Sequence, residues 1–306
     1  MATMTTYEQI GIKEDVSDVI SNLTPTKTPF QSAIGADTTK AISFEWLEDE
    51  LRAAGTNAKV EGADATFITV NPPATRSNRT QILAEAVQVS DTTDTVSTYG
   101  RAKEMAYQMR KSSAQLKRDL EYAYVGSAQT EVVGSASVAR KMKSAQVQIS
   151  GVTYTGGTIA VPVALTEAFL MTALQASFTA GAEPTRIQVT PTNSVVLAAF
   201  ASAAGRYRTF QNGTSGDKTI VNVVNLYVSP FGEQKVEINR FLMAKNTLVY
   251  DPNQWAKVWL RPWARTALAK TGDSSKQQIL GEVSLKHKNY AASNLIVEGV
   301  TGYAPV

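Results

Sequence analysis

Residues 99–124 read YGRAKEMAYQMRKSSAQLKRDLEYAY, and this stretch decides how the rest of the chain is organised. Apolar or small side chains recur in it in steps of three and four, which places them along one stripe of a helix. At a rise of about 1.5 Å per residue such a helix is roughly 38 Å long. The stripe consists of Tyr99, Ala102, Ala106, Met109, Ser113, Leu116, Leu120 and Ala123. The sequence therefore predicts one long helix with an apolar face.

The charge of the chain is divided unevenly between this helix and the residues before it. The first 98 residues carry seven basic and fourteen acidic side chains, whereas the remaining 208 carry 23 basic and 13 acidic ones. Such a division favours contacts between acidic segments of one copy and the basic body of the next. The helix residues that we expect at this subunit interface, all off the apolar stripe, are Arg110, Lys111, Lys117 and Arg118.

The first 98 residues predict an arm and a long loop instead of a compact unit. Pro25 and Pro29 prevent a helix from continuing and favour a stiff, extended connection. Residues 42–46 alternate apolar and polar side chains, as strands do, and Arg79–Val89 is a second strand candidate. Between them, Ala53–Asn78 is rich in Ala, Gly, Thr, Asn and Pro, which indicates a long loop or an open hairpin. This organisation is typical of a subunit that grips its neighbours.

Aromatic and acidic side chains of the same region are candidates for these contacts. Phe30 follows the second proline and Trp46 lies in the first strand pattern, and we expect both at a subunit interface. Glu45, Glu48 and Asp49 supply oxygen atoms of the kind that hard cations prefer. No loop of regularly spaced ligands surrounds them, so we interpret them as an interface patch.

Residues 151–306 predict a mixed α/β domain followed by several strands. Leu165–Phe178 has the pattern of a helix capped by Thr166, and Arg186–Val189 has that of a strand. A second helix is expected at Asn193–Ala203, with Asn193 as its N-cap. Alternation of helix and strand is typical of α/β packing.

A row of aromatic and basic residues of one parity marks a strand near residue 260. Residues of equal parity share a face of a strand. Such a face can stack on single-stranded nucleic acid or form cation–π contacts between subunits. We favour the subunit interface for Trp255, Trp259 and Trp263. The full row is Trp255, Lys257, Trp259, Arg261, Trp263 and Arg265.

Composition excludes several classes of chemistry. The chain has no cysteine, which excludes disulfides, thiol catalysis and zinc–thiolate sites. Its one histidine, His287, lies in no recognisable acid–base constellation. We predict no catalytic, cofactor-binding or metal-binding residue and no enzymatic activity. No apolar run approaches the roughly 20 residues of a membrane span, so a soluble protein made in the cytosol is expected.

Three segments, together with the order of predicted elements, resemble the major capsid proteins of tailed bacteriophages with the Hong Kong 97 fold. The group typified by the major head protein of phage SU10 is the most similar. The segments are YEQIGIKED at Tyr7–Asp15, TKTPF at Thr26–Phe30 and YGRAKEMAYQ at Tyr99–Gln108. The resemblance implies an α+β fold with an N-terminal arm, an extended β-hairpin loop, a long spine helix, a peripheral domain and an α/β axial domain.

The resemblance also implies boundaries for these parts. The expected parts are an N-terminal arm at 1–40, an extended loop at 41–97, the spine helix and peripheral domain at 98–160, the axial domain at 161–248, peripheral-domain strands at 249–290, and a C-terminal strand at 291–306 that returns to the axial domain.

The implied function is structural. Copies of the chain would assemble into the pentamers and hexamers of an icosahedral capsid in the bacterial host cytoplasm, with portal, scaffolding and decoration proteins as partners. Contact with the packaged double-stranded DNA is expected to be weak and non-specific, because the sequence has no concentrated basic face. No membrane and no cofactor are implied. Two alternatives stay open: an encapsulin-like bacterial compartment shell, and a globular enzyme that uses carboxylates and lysines.

Overall fold

The computed structural model describes residues 24–62, 64–68, 70, 72–96, 103–150, 158–161, 165–203, 226–290 and 293–298. Within them the chain forms three sheets and several helices. In chain order the elements are α1 (Pro29–Ala33), β1 (Gly35–Thr38), β2 (Ser43–Glu48), β3 (Ala74–Arg79), β4 (Gln81–Ser90), α2 (Asp91–Thr95), α3 (Glu104–Glu121), a π-helical turn (Tyr122–Gly126), α4 (Ala145–Ser150), β5 (Thr158–Val161), α5 (Glu167–Thr179), β6 (Arg186–Val189), α6 (Pro191–Ala203), β7 (Leu226–Ser229), β8 (Gly232–Ile238), β9 (Asn246–Tyr250), a 3₁₀ turn (Pro252–Gln254), β10 (Trp255–Ala267), β11 (Ser274–His287) and β12 (Ser293–Glu298).

The long helix α3 packs on a four-stranded sheet of order β1-β10-β11-β4. Strand β1 runs parallel to β10, and the other two pairs are antiparallel. Val89 of β4 and Met105 and Met109 of α3 form a buried apolar cluster, against which Val87 and Ile279 pack. The helix and the sheet therefore bury one another's apolar faces.

The long helix is confirmed, but its buried stripe differs from the predicted one at its start. Met105 and Ser112 are buried, whereas the predicted Ala106 is exposed and Ser113 is only half-buried. Leu116 and the residues after it lie in the stripe as expected. The larger Met105 buries more apolar surface than Ala106 could, which favours Met105 on the buried face of the first turn. Tyr99, Arg101 and Ala102 lie outside the described residues.

The second core belongs to a six-stranded sheet of order β5-β12-β9-β6-β8-β7. Helices α5 and α6 pack on it and share one apolar cluster with β6, β8, β9 and β12. As predicted, Thr166 caps α5, accepting a hydrogen bond from the Phe169 backbone N–H at 3.4 Å. The prediction that Asn193 caps α6 is wrong, because the Thr190 hydroxyl accepts the Asn193 backbone N–H at 3.3 Å and the helix begins at Pro191.

The third sheet is the two-stranded hairpin β2–β3, and it is larger than the sequence indicates. The segment that the sequence assigns to a loop or an open hairpin ends in strand β3, whose Ala74–Arg79 pairs antiparallel with Ser43–Glu48. The strand predicted at Arg79–Val89 corresponds to β4, which pairs with β11 and so belongs to the sheet under α3. The loop at the end of the hairpin is therefore 49–73.

Strand β10 does not keep the simple alternation that the sequence predicts. Its register against β11 shifts between Trp259 and Arg261 and again between Arg261 and Ala264, so equal parity does not mean a shared face along its whole length. Near the second shift the Trp263 ring lies directly on Gly281 of β11: a Cβ atom at Gly281 would lie 2.5 Å from Trp263 Cε3.

A buried carboxylate joins the start of the described chain to the long helix. Glu121, at the end of α3, is fully buried and accepts hydrogen bonds from the backbone N–H groups of Phe30 (2.8 Å) and Gln31 (2.9 Å) in α1. Asn239, directly after β8, donates a third from its side-chain amide at 2.8 Å. Burial raises the pKa of Glu121 even though these donors oppose the shift. The carboxylate thus links α1, α3 and the six-stranded sheet.

The Phe30 ring occupies the aromatic socket next to this carboxylate. Its centroid lies 5.3 Å from that of Tyr250, 5.7 Å from Trp255 and 6.1 Å from Tyr124. Phe30 is fully buried in its own subunit, so the expectation that its side chain contacts a neighbouring subunit is wrong. The ring instead fixes the chain that follows Pro29 to the body, because its large apolar surface is removed from water there.

We expect Glu121→Gln to lower stability by an amount that depends on pH. The carboxamide leaves one backbone N–H of α1 without an acceptor, which costs about 1–3 kcal/mol. Because the folded-state pKa of Glu121 lies above its ordinary value of 4.5, the stability linked to this group is complete below that value and is lost as pH rises through the folded-state pKa. The free energy of unfolding of the variant lacks this dependence on pH. The difference in free energy of unfolding between the variant and the natural chain should therefore shrink as pH rises. Urea unfolding of unassembled subunits between pH 4 and pH 7 measures the deficit.

The exposed carboxylate Asp119 of the same helix supplies the control. Asp119→Asn removes one negative charge from α3 without touching α1. It should leave the free energy of unfolding within about 0.5 kcal/mol of the natural chain. A deficit of Glu121→Gln that grows with pH would contradict the raised pKa of Glu121.

We expect Gly281→Ala to destabilise the sheet under α3 by about 1–3 kcal/mol, because the added methyl group displaces the Trp263 ring. Gly55→Ala, at a position where a Cβ meets no atom within 4 Å, is the matched control and should be nearly neutral. Thermal unfolding with near-ultraviolet circular dichroism of the tryptophans measures both effects. Equal behaviour of the two variants would contradict the close packing of Trp263 on Gly281.

Candidate assembly interface

Large apolar side chains are exposed along the hairpin loop 49–73. The exposed fractions are 98% for Leu51, 81% for Val60, 97% for Phe67, 73% for Ile68 and 82% for Val70. Single exposed apolar residues are common, but a run of this kind on one projecting segment marks a contact surface. These residues were not singled out from the sequence, although their apolar character within a Gly-, Asn- and Pro-rich loop was a usable signal.

The predicted acidic patch is divided by the structure. Glu45 and Asp49 are exposed on the hairpin. The Glu48 carboxylate is instead only 8% exposed and pairs with the Arg76 guanidinium across the hairpin at 3.0 Å. Glu48 thus has a partner within its own subunit, and its expected interface role stays a prediction. The carboxylate ties β2 to β3, since an ion pair in this partly buried setting is weakly screened.

Trp46 is half-buried on the same hairpin. Its ring stacks on Phe44 at a centroid distance of 5.6 Å, and the Lys286 ammonium lies 5.9 Å from the ring centroid. Trp46 also lines a cleft of about 330 Å³ between the hairpin and the body. Much of the surface of Trp46 therefore contacts residues of its own subunit and connects the hairpin to the body.

His287 lies at the floor of this cleft as a neutral, buried ring. Burial lowers its pKa to about 3, with the Arg76 charge as a further cause. The ring stacks on Trp255 at 3.9 Å, and its Nε2 lies 3.1 Å from the Ser293 hydroxyl, which also accepts the Trp255 indole N–H at 2.9 Å. These contacts give His287 a packing role at the junction of β10, β11 and β12.

The tryptophans of β10 pack mostly against the core of their own subunit. Trp255 is fully buried, so the expected interface role is wrong for this residue. Trp259 and Trp263 are half-buried, pack against the same core and contact each other edge to face at 5.6 Å. The basic neighbours are engaged too: Lys257 donates to the Gln31 carbonyl at 2.9 Å, and Arg261 pairs with Glu282 at 2.9 Å.

The basic residues of α3 lie away from the buried stripe, as expected. Arg110, Lys111 and Lys117 are exposed, and in the described part of the chain none has a carboxylate within 4.0 Å. Arg118 is half-buried, with its guanidinium 5.6 Å from the Phe241 ring centroid. The helix thus presents a charged surface that its own subunit leaves largely unpaired.

The outer face of the sheet under α3 exposes a short, mostly apolar stretch along β4. Ile82, Ala84, Ala86 and Gln88 of β4 are exposed there, because the alternate residues of the strand point towards α3. Near Ile82 the face opens into a concavity of about 440 Å³, which is lined by the exposed Val133 and Val138 and by Arg140. This apolar surface has the character of a protein–protein contact.

Neither a metal centre nor a membrane-spanning helix is present among the residues that the structure describes. No group of three or more His, Asp or Glu side chains is arranged there to hold a metal ion. Among the helices of that part of the chain, none combines the length and apolar character that a membrane crossing needs.

Comparison with known proteins gives a consistent result. The model of the SU10 major capsid protein family matches residues 2–301. The major capsid protein of Escherichia phage Phieco32 is 30% identical over 338 aligned residues, which cover 95% of each chain.

Solved structures support the same fold at low sequence identity. The cyanophage A-1(L) capsid asymmetric unit matches with a TM-score of 0.66 and 15% identity over 97% of this chain and 99% of that one. The capsid of the native GTA particle matches with a TM-score of 0.65 and 12% identity over 95% and 96% of the two chains. The structure from Mycobacterium phage Cain matches with a TM-score of 0.62 and 13% identity over 98% and 100%. The chain therefore belongs to the SU10 major capsid protein family, and its α+β fold is that of the Hong Kong 97-type subunits that build the phage head.

Proposed function

We propose that copies of this chain form the pentamers and hexamers of an icosahedral shell mainly through the hairpin loop 49–73. The observation that carries the proposal is the exposure of five large apolar side chains on this one segment. Burying an apolar side chain of this size stabilises a contact by about 1.5–3 kcal/mol. In a monomer these side chains stay in contact with water. In an assembled shell their burial would stabilise every subunit contact.

The surface that would receive the loop is the outer face of the sheet under α3 on a neighbouring subunit. The loop is rich in apolar side chains, and the face offers Ile82, Val133 and Val138 around a concavity without an apolar occupant from the described chain. Shape and apolar character thus complement each other, as the buried centre of a protein interface requires. The exposed Glu45 and Asp49 at the base of the hairpin then lie at the polar rim of the contact.

The expected division into capsid parts is consistent with the sheets. We propose that residues 1–40 form the arm, 41–97 the extended loop, and α3 with its four-stranded sheet the peripheral domain. The six-stranded sheet with α5 and α6 would form the axial domain. Strand β9 pairs with β12 over its whole length and with β6 at residues 247–250, which supports a boundary at Tyr250 in place of the expected residue 248. Strand β4 likewise joins the peripheral sheet through β11.

The shell would enclose double-stranded DNA and assemble in the cytoplasm of the bacterial host, together with portal, scaffolding and decoration proteins. The family membership supports this placement. An encapsulin-like compartment has the same fold, and nothing in the described residues favours it over a phage head. Particles purified from infected cells, with their nucleic acid digested and sized, separate the two functions.

We expect Phe67→Ser combined with Ile68→Ser to abolish shells while leaving the subunit folded. Both side chains are largely exposed in the single subunit, so their loss should change its thermal unfolding by little. Negative-stain electron microscopy and sedimentation measure shells, and circular dichroism measures folding. Thr56→Ser with Thr66→Ser in the same loop is the control, since it keeps the polar character of both positions. Normal shells from the Phe67 and Ile68 variant would refute the role of the loop.

A further inference from the structure

The exposed side of α3 carries a concentrated array of positive charge, which we call the basic band. At about 100° per residue, positions seven apart return to within roughly 20° of one another, about 10.5 Å further along the axis. Arg110 and Lys117 therefore form one row, and Lys111 and Arg118 form a second row beside it, while Lys103 is the extended residue directly before the helix. The sequence-based expectation that no concentrated basic face exists is thus corrected by the helical geometry.

The charges of the band are mostly unneutralised within the subunit. Lys103 lies 3.8 Å from the Asp94 carboxylate, at the limit of an ion pair, and donates to the Asp94 carbonyl at 2.9 Å. Arg110, Lys111 and Lys117 have no such carboxylate partner in the described chain. Of the acids of the helix, Glu121 is buried under α1 and Asp119 is turned by about 90° or more from the basic rows, whereas Glu104 lies seven positions before Lys111, at the N-terminal end of the second row. The band therefore keeps an excess of positive charge.

The band also lacks the features of a protein-binding surface. None of the large apolar side chains of α3 is among the exposed ones in the described chain. Protein interfaces have an apolar centre and are depleted in lysine, whereas the band is a rigid, polar row of cations. The exposed apolar side chains of the subunit lie instead on the hairpin loop and on the outer face of the sheet. Protein contacts and the basic band are thus on different surfaces.

We infer that the basic band binds the phosphate backbone of the packaged double-stranded DNA and that α3 faces the interior of the shell. This inference rests on the proposed function and replaces the expectation that these residues contact a neighbouring subunit. Rigid cations spaced along a helix neutralise phosphates without reading bases, so binding is independent of sequence and strongly dependent on salt. An acidic segment of a neighbouring copy is the competing partner, and the experiments below separate it from DNA.

The first experiment measures DNA binding by unassembled subunits. The triple variant Arg110→Gln, Lys111→Gln and Lys117→Gln removes three charges and keeps good helix formers. Each lost phosphate contact lowers the slope of log K against log salt by about 0.9, so the slope should fall by about 2.7. Affinity for a fluorescent duplex of arbitrary sequence should fall on the order of 10- to 100-fold at low salt. Fluorescence anisotropy across a sodium chloride series measures both quantities.

A matched triple variant controls for net charge. Lys40→Gln, Lys141→Gln and Arg240→Gln also remove two lysines and one arginine, all exposed and all outside α3. This control should keep most of the affinity and the slope of the natural chain. An α3 variant that binds DNA no differently from the control would overturn the inference. Electron microscopy of both variants completes the test. If the α3 variant forms shells but binds DNA weakly, the inference is supported. If the α3 variant alone loses its shells, the band is a subunit contact and the inference is refuted.

The second experiment tests which way the band faces. The chain has no cysteine, so Lys111→Cys creates a single thiol in the band. A maleimide on a polyethylene glycol chain too large to cross the shell should label unassembled subunits and disrupted shells but not intact ones. Labelling of intact shells would place α3 outside and overturn the inference. Because the hairpin-loop variants test the proposed assembly contact separately, failure here leaves that contact untouched.

Discussion

The Glu121 carboxylate is the constraint on which the arrangement of this subunit depends. It is buried at the end of the long helix and accepts two backbone N–H groups from α1 and one amide N–H from Asn239. An unpaired buried carboxylate would be far too costly, so the three donors have to stay in place. Through them the beginning of the described chain, the long helix and the six-stranded sheet keep one mutual position. The Phe30 ring beside it adds apolar burial to the same joint.

The residues around this joint differ in role from those on the surface: the former form the core of the subunit, and the latter are available for contacts with other subunits. Phe30 and Trp255, which the sequence suggests as subunit contacts, are fully buried core residues. His287 stacks on Trp255 as a neutral ring. Outside this joint, the hairpin loop and the outer sheet face carry apolar side chains without a partner in the described chain. A rigid body with an adhesive projecting loop suits a shell, because the loop can adapt to local curvature while the body keeps its shape.

Charge has a similar division of roles. Carboxylates such as Glu48 and Glu282 pair with arginines of their own subunit and hold strands together. The cations of α3 keep their charge for an external partner, and their spacing along a straight helix matches a polyanion better than a folded protein. In the assembly that we propose, the apolar surfaces contact other copies of the subunit and the basic surface contacts the DNA.

The long helix, the strand at Arg186–Val189 and the cap at Thr166 follow from local rules, because periodicity and capping chemistry involve residues within about one turn of each other. The resemblance of three short segments likewise suffices for the family. Local rules fail to place the tryptophan row in the core of its own subunit, because that burial depends on distant segments that pack on β10. They fail again for strand β3, whose polar residues are held by pairing with β2.

The helix, the order of elements and the class of protein can all be predicted from the chain, because each is encoded in the pattern of neighbouring residues. Which aromatic residues lie in the core and which surfaces stay exposed becomes known only from the folded subunit. Burial depends on packing between segments as distant as Phe30 and Tyr250, and no pattern along the chain records such a contact.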